Sequence, residues 1–163
     1  MTSATSLHRT LLALTKPTVV VLLQVTALCA VLSHDLLEAG GVSNMDFTSS
    51  FKTIIFVFIG GYLTAGGANS INMWFDRDID PIMERTANRP IPLGEISANA
   101  ALIFGISISI IGVIWFNIMT NSVAAFWAAF SILFYVFIYS MWLKRNSTQN
   151  IVIGGLAGAT PPV

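Results

Sequence analysis

Four stretches of this chain, residues 17–34, 53–75, 98–119 and 122–143, contain no aspartate, glutamate, lysine or arginine. Each is close to the roughly 20 apolar residues that a helix needs to cross the hydrocarbon of a bilayer. Backbone N–H and C=O groups find no water there, so each stretch must satisfy them internally, as a helix. The composition agrees, with 55% of residues hydrophobic and 10% charged, against about 25% charged in a soluble domain. The expected fold is therefore all-α, a polytopic transmembrane helix bundle.

A further apolar stretch, residues 150–163, is too short to cross and reads as the start of a fifth span. The chain is expected to be the N-terminal half of a larger bundle, a single transmembrane domain over 1–163. The first span is expected to be retained rather than cleaved as a signal, since only Arg9 and Lys16 charge its flank and three more spans follow. Its Cys29 is the single cysteine, which excludes a disulfide framework within the chain and reads as a lipid-facing or packed residue. The N-terminal MTSATSLHRT is expected to be disordered or interfacial, with Lys16-Pro17 opening the first membrane helix. No nucleic-acid partner is expected of such a chain; the lipid bilayer is.

Positive charge sets the orientation, because short basic loops stay cytoplasmic. Of the eight basic residues, all but Lys52 fall before span one, after span two or after span four. These three places should share the cytoplasmic face, with the N-terminus cytoplasmic and residues 35–50 opposite. In a bacterium, that makes the protein an integral, multi-pass component of the plasma (inner) membrane.

Span two ends in a run unlike the rest, NMWFDRDIDPIMERTANRPIP, residues 72–92. Asn72, Asp76 and Asp80 recur every fourth residue, which places them on one helical face about 6 Å apart, with Asn69 beside them. Asp78 points away, and Pro81 pushes Asp80 toward the end of the helix. Two neighbouring carboxylates at a membrane face repel unless something positive lies between them. All-oxygen ligands favour a hard cation such as Mg²⁺, which keeps waters and borrows phosphate oxygens. An EF-hand is excluded, since its sixth and twelfth positions would be Pro81 and Ala87. Arg85 and Arg89 follow, and guanidinium groups fit phosphate oxygens. A solvated basic loop would explain these arginines, but not polar groups inside a small-residue membrane helix, where such groups are functional by default.

These residues resemble the intramembrane aromatic prenyltransferase superfamily, whose first signature N-x-x-x-D-x-x-x-D is met by Asn72, Asp76 and Asp80. Within it, NMWFDRDIDPIMERTANRPIPLGEIS is most similar to the protoheme IX farnesyltransferases, or haem O synthases. LTKPT, YSMWLKR and QNIVIGGLAGATPPV are similar to other stretches of that family, so the resemblance runs from about residue 14 to 163. RTANRP-like text also occurs in the 4-hydroxybenzoate branch, which stays open as the alternative. The resemblance implies Mg²⁺ held at Asn72, Asp76 and Asp80, with the diphosphate of farnesyl diphosphate met by Arg85, Arg89, Lys16 and Lys144. It implies farnesyl transfer to a vinyl group of haem b, a second acidic motif in a longer chain, and terminal-oxidase biogenesis factors as partners.

The remaining polar residues have plainer readings. His8 and His34 are expected in solvent, Gln24 and Asn117 bonded to neighbouring helices, and Asp35, Glu38 and Asp46 in an outer loop. Trp74, Phe75 and Tyr62 are placed to stabilise a carbocation or to meet lipid. A transporter or a scaffold are the rivals from other classes; a transporter's carboxylates should sit near the bilayer midplane.

Overall fold

A computed structural model describes residues 4–146 and Val152; the partial fifth span expected over 150–163 lies outside the described residues apart from Val152. Helix α1 covers Ala4–Thr15, α2 Pro17–Ala39, α3 Phe47–Phe75, α4 Ala98–Met119 and α5 Ser122–Leu133, and α5 continues as a π-helix over Phe134–Leu143. No strand occurs among the described residues. Four of these helical segments are long and apolar enough to cross a membrane. The protein is a multi-pass membrane protein of the all-α class.

Helix α3 is the centre of the bundle, and its small residues are the reason. Gly67 sits so close to α4 that a Cβ there would meet the Gly105 carbonyl at 2.7 Å and the Ser109 nitrogen at 2.9 Å. Ser70 adds a buried hydrogen bond to the Ala101 carbonyl at 2.9 Å. In lipid, where apolar side chains gain nothing by leaving their surroundings, such close backbone approach drives helix association. The helices around it leave Leu22, Ile103 and Phe126 exposed.

Three expectations are corrected. Residues 4–15 are not disordered: they form α1, whose Leu14 is wholly buried against Met73 and Ala101. The segment 35–50, expected as a loop, is partly helical, since α2 continues to Ala39 and closes on Gly40, a left-handed C-cap at φ 68°. Asp35 accepts from Ser50 Oγ, and Asp46 caps α3 by accepting from the Thr48 and Ser49 N–H groups. Short polar side chains there satisfy helix ends that would otherwise be orphaned. Finally, α3 stops at Phe75, so the four-residue spacing of Asn72, Asp76 and Asp80 does not run along one helix.

Other plain readings hold. Gln24 donates to the Phe58 carbonyl on α3 at 2.7 Å, Cys29 and His8 are exposed, and His34 is exposed beside Asp35 and Glu38.

Candidate active site

The chain past Phe75 folds into two short 3-10 turns, Asp76–Asp78 and Asp80–Ile82. Pro81 ends regular helix here by removing an N–H and disfavouring α geometry before it. The tighter winding keeps Asp76 and Asp80 directed inward, each 1% exposed, while Asp78 is exposed. Asp76 is the C-cap of α3, where the partial negative charge of the helix end repels a carboxylate and attracts cations.

Cations of this chain answer that field. Lys144 Nζ donates to Asp76 Oδ2 at 2.5 Å. Arg89 Nη1 lies 2.8 Å from both oxygens of Asp80 and 3.7 Å from Asp76 Oδ2. Lys16 Nζ donates to Asn72 Oδ1 at 3.3 Å, and Asn72 Nδ2 donates to Ser140 Oγ at 2.9 Å. Burial, and next the Arg89 guanidinium, push the Lys16 ammonium down to about 8, while Asp76 and Asp80 act against the shift. Three cations thus surround two buried carboxylates, leaving excess positive charge suited to an anion.

Each contact depends on an unusual piece of backbone. Lys16 adopts φ 51°, the left-handed region rare outside glycine, between α1 and α2. The Asn69 amide holds the preceding Thr15 carbonyl at 3.0 Å, and Thr15 Oγ1 hydrogen-bonds the Tyr62 hydroxyl at 2.9 Å. Asn69 is therefore not turned to the carboxylates; it braces the turn that delivers Lys16. Thr86 Oγ1 donates to the Asp80 carbonyl at 3.0 Å and fixes the loop from which Arg89 returns. The π-helix runs beside the end of α3, so Ser140 meets Asn72 and Lys144 meets Asp76 in the same register.

A family model described as the UbiA prenyltransferase family matches residues 25–163. The chain belongs to that family. Among curated relatives, it is 47% identical to a protoheme IX farnesyltransferase of Acidiphilium cryptum over 93% of this chain and 44% of the relative. It is 46% identical to one of Jannaschia over 93% of this chain and 45% of that one. With one of Gluconobacter oxydans, identity reaches 55% over 68% of this chain and 34% of the relative. The chain thus spans less than half the length of the curated relatives it matches. No solved structure matches it.

For this member of the UbiA family, the structure gathers Asn72, Asp76, Asp80, Arg89, Lys16 and Lys144. Arg85 stands apart: its side chain is exposed and pairs with neither aspartate. Positive charge does lie beside the two carboxylates, supplied by Lys144 at Asp76 and by Arg89 at Asp80. The residues nonetheless fit a hard cation. Asp76 Oδ1 is buried without a hydrogen-bond partner, and every candidate ligand atom is oxygen. Among the described residues, no three His, Cys, Asp or Glu side chains converge as a closed metal site. An ion at Asn72, Asp76 and Asp80 would complete its shell with water or phosphate oxygens, as Mg²⁺ commonly does.

Sequence reasoning missed Ser140, Thr86 and the role of Asn69. Only Ser140 left a signal: Ser140 and Lys144 repeat the four-residue spacing of Asn72 and Asp76.

Proposed function

We propose that this chain is the part of a protoheme IX farnesyltransferase that binds the diphosphate of farnesyl diphosphate. The observation that carries the reading is the buried pair Asp76 and Asp80, ringed by Lys16, Arg89 and Lys144, with one aspartate oxygen unpartnered. The names of the relatives supply the acceptor, haem b.

In the reaction, the C–O bond of the allylic diphosphate breaks and the electron pair leaves with the diphosphate. A C–C bond forms to a haem vinyl carbon, water adds to the neighbouring carbon, and its proton is released. Lys16, Lys144 and Arg89 are proposed to take up the charge that develops on the departing diphosphate, with Arg85 nearer the solvent as an entry contact. Mg²⁺, held at Asn72, Asp76 and Asp80, would supply further charge neutralisation.

The allylic cation must be kept from water until the haem carbon traps it. A hollow of about 420 Å³ lies between α2, α3, α4 and α5, walled by apolar residues such as Leu23, Val57, Ala65 and Phe116 and also by the polar His34, Asp35 and Asn121. It begins roughly 16 Å of helix rise from Asp76, and the carboxylates do not line it. The charged site and this largely apolar hollow are thus at different depths, as an amphiphilic donor requires. Clustering of the carboxylates at one end of α3 disfavours a transporter, whose sites lie at the midplane. The loop bearing Arg89 and the N-terminus are assigned to the cytoplasmic face, in the inner membrane if the host is bacterial, with haem O passing to terminal-oxidase assembly.

Membranes carrying the full-length protein should convert haem b and farnesyl diphosphate to haem O with Mg²⁺-dependent diphosphate release. Prenylation of 4-hydroxybenzoate in place of haem b would move the protein to the neighbouring branch. Turnover unaffected by thorough chelation would refute the metal assignment.

A further inference from the structure

The amide of Asn72 has two ends, a donor and an acceptor, and a cation can use only the acceptor. What decides which end faces the site lies on the π-helix. Ser140 is wholly buried; its hydroxyl donates to the Tyr135 carbonyl at 2.9 Å and receives Asn72 Nδ2 at 2.9 Å. A serine hydroxyl has one proton. With that proton committed to Tyr135, Ser140 can only accept, so the NH₂ end of Asn72 must face it. Oδ1 is then turned to the opposite side, where it accepts from Lys16 Nζ at 3.3 Å. A reversed amide would set oxygen lone pairs against oxygen lone pairs at Ser140 and NH₂ against ammonium at Lys16.

The π-turn makes this possible. Serine in a regular α-helix bonds back to carbonyls three or four residues earlier, whereas Ser140 reaches the fifth, a consequence of the wider winding over Phe134–Leu143. The same winding carries Lys144 onto Asp76, one helical turn along. Isolated π-segments inside α-helices tend to mark functional sites.

We propose that Ser140 is a positioning residue that fixes Asn72 with Oδ1 presented as an acceptor for the cation bound with the diphosphate. The proposal rests on the reading of Asn72, Asp76 and Asp80 as a cation site. It extends that reading by naming a residue that touches neither ion nor substrate yet sets the polarity of a ligand.

Mn²⁺ binding to the full-length protein in lipid nanodiscs, titrated by electron paramagnetic resonance with farnesyl diphosphate present, tests it without turnover. Ser140→Ala should weaken Mn²⁺ binding about tenfold or more, the usual effect of losing a residue that orients a ligand, and Ser140→Thr should restore it. Asn72→Asp has no amide to orient, so Ser140→Ala added to it should produce no further loss. Wild-type Mn²⁺ affinity in Ser140→Ala overturns the inference, as does an equal loss in the Asn72→Asp background, whatever happens to thermal stability. A wild-type protein that binds no Mn²⁺ overturns the cation reading itself, a result distinct from binding that survives Ser140→Ala.

Discussion

Replacing Asp76 with Asn removes a charge and almost no volume, which isolates electrostatics from packing. In the native site, Asp76 Oδ2 is 2.5 Å from Lys144 Nζ and 3.7 Å from Arg89 Nη1, and the residue is 1% exposed. At an effective dielectric of about 20, charges at those separations attract by roughly 4 to 7 kcal/mol each. Desolvating the carboxylate offsets most of this, and truncating one member of a buried pair costs about 3 to 5 kcal/mol overall. Lys144 keeps 26% of its side-chain surface in contact with the surroundings, so the lower end of that range applies. About 3 kcal/mol lost from a complex in which the same carboxylate holds the cation corresponds to roughly a hundredfold. Asp76→Asn should therefore lower kcat/KM for diphosphate release at least a hundredfold at fixed Mg²⁺. Asp78→Asn, at an exposed position, should stay near wild type. The assay is diphosphate release in membranes across a Mg²⁺ titration, normalised to folded protein. Equal rates in Asp76→Asn and wild type, or equal losses in both variants, would refute the reasoning.

Arg89→Gln strands the buried carboxylate of Asp80 and should destabilise the fold by about 3 to 5 kcal/mol in detergent unfolding. Arg85→Gln, on an exposed side chain, should stay within about half a kcal/mol and reduce diphosphate affinity less than Arg89→Gln does. Gly67→Ala must push α3 from α4, because its Cβ would strike backbone atoms of Gly105 and Ser109, and should cost about 1 to 3 kcal/mol in the same measurement. With Cys29 replaced by Ala, single cysteines at Ser43 and Glu84 should react with an impermeant maleimide from opposite faces of the membrane. Labelling of both from one face overturns the assigned orientation.

Much of this protein is settled by which residues are missing from its helices. Four stretches free of acidic and basic side chains can only be membrane helices, because hydrocarbon leaves backbone groups no other partner. The ends of α4 follow from local chemistry: Ser97 caps its start and Thr120-Asn121 turns the chain into α5. Candidate ligands were legible too, since a polar group at the end of a small-residue span needs a reason to be there. Spacing alone misjudged their setting. A four-residue period suggests one helix face, yet α3 ends at Phe75 and tight turns carry Asp76 and Asp80 inward.

What neutralises the carboxylates could not be read in one dimension. Lys16, Arg89 and Lys144 come from three separate segments, and only the packing of α1, the returning loop and the π-helix around α3 places them together. Local sequence determines where a backbone must hydrogen-bond to itself, because that depends on neighbours along the chain and on the solvent. Which charge meets which depends on distances through space, and here those were decided by the close approach that the glycines of α3 allow and by one wide turn in the helix that carries Ser140 and Lys144.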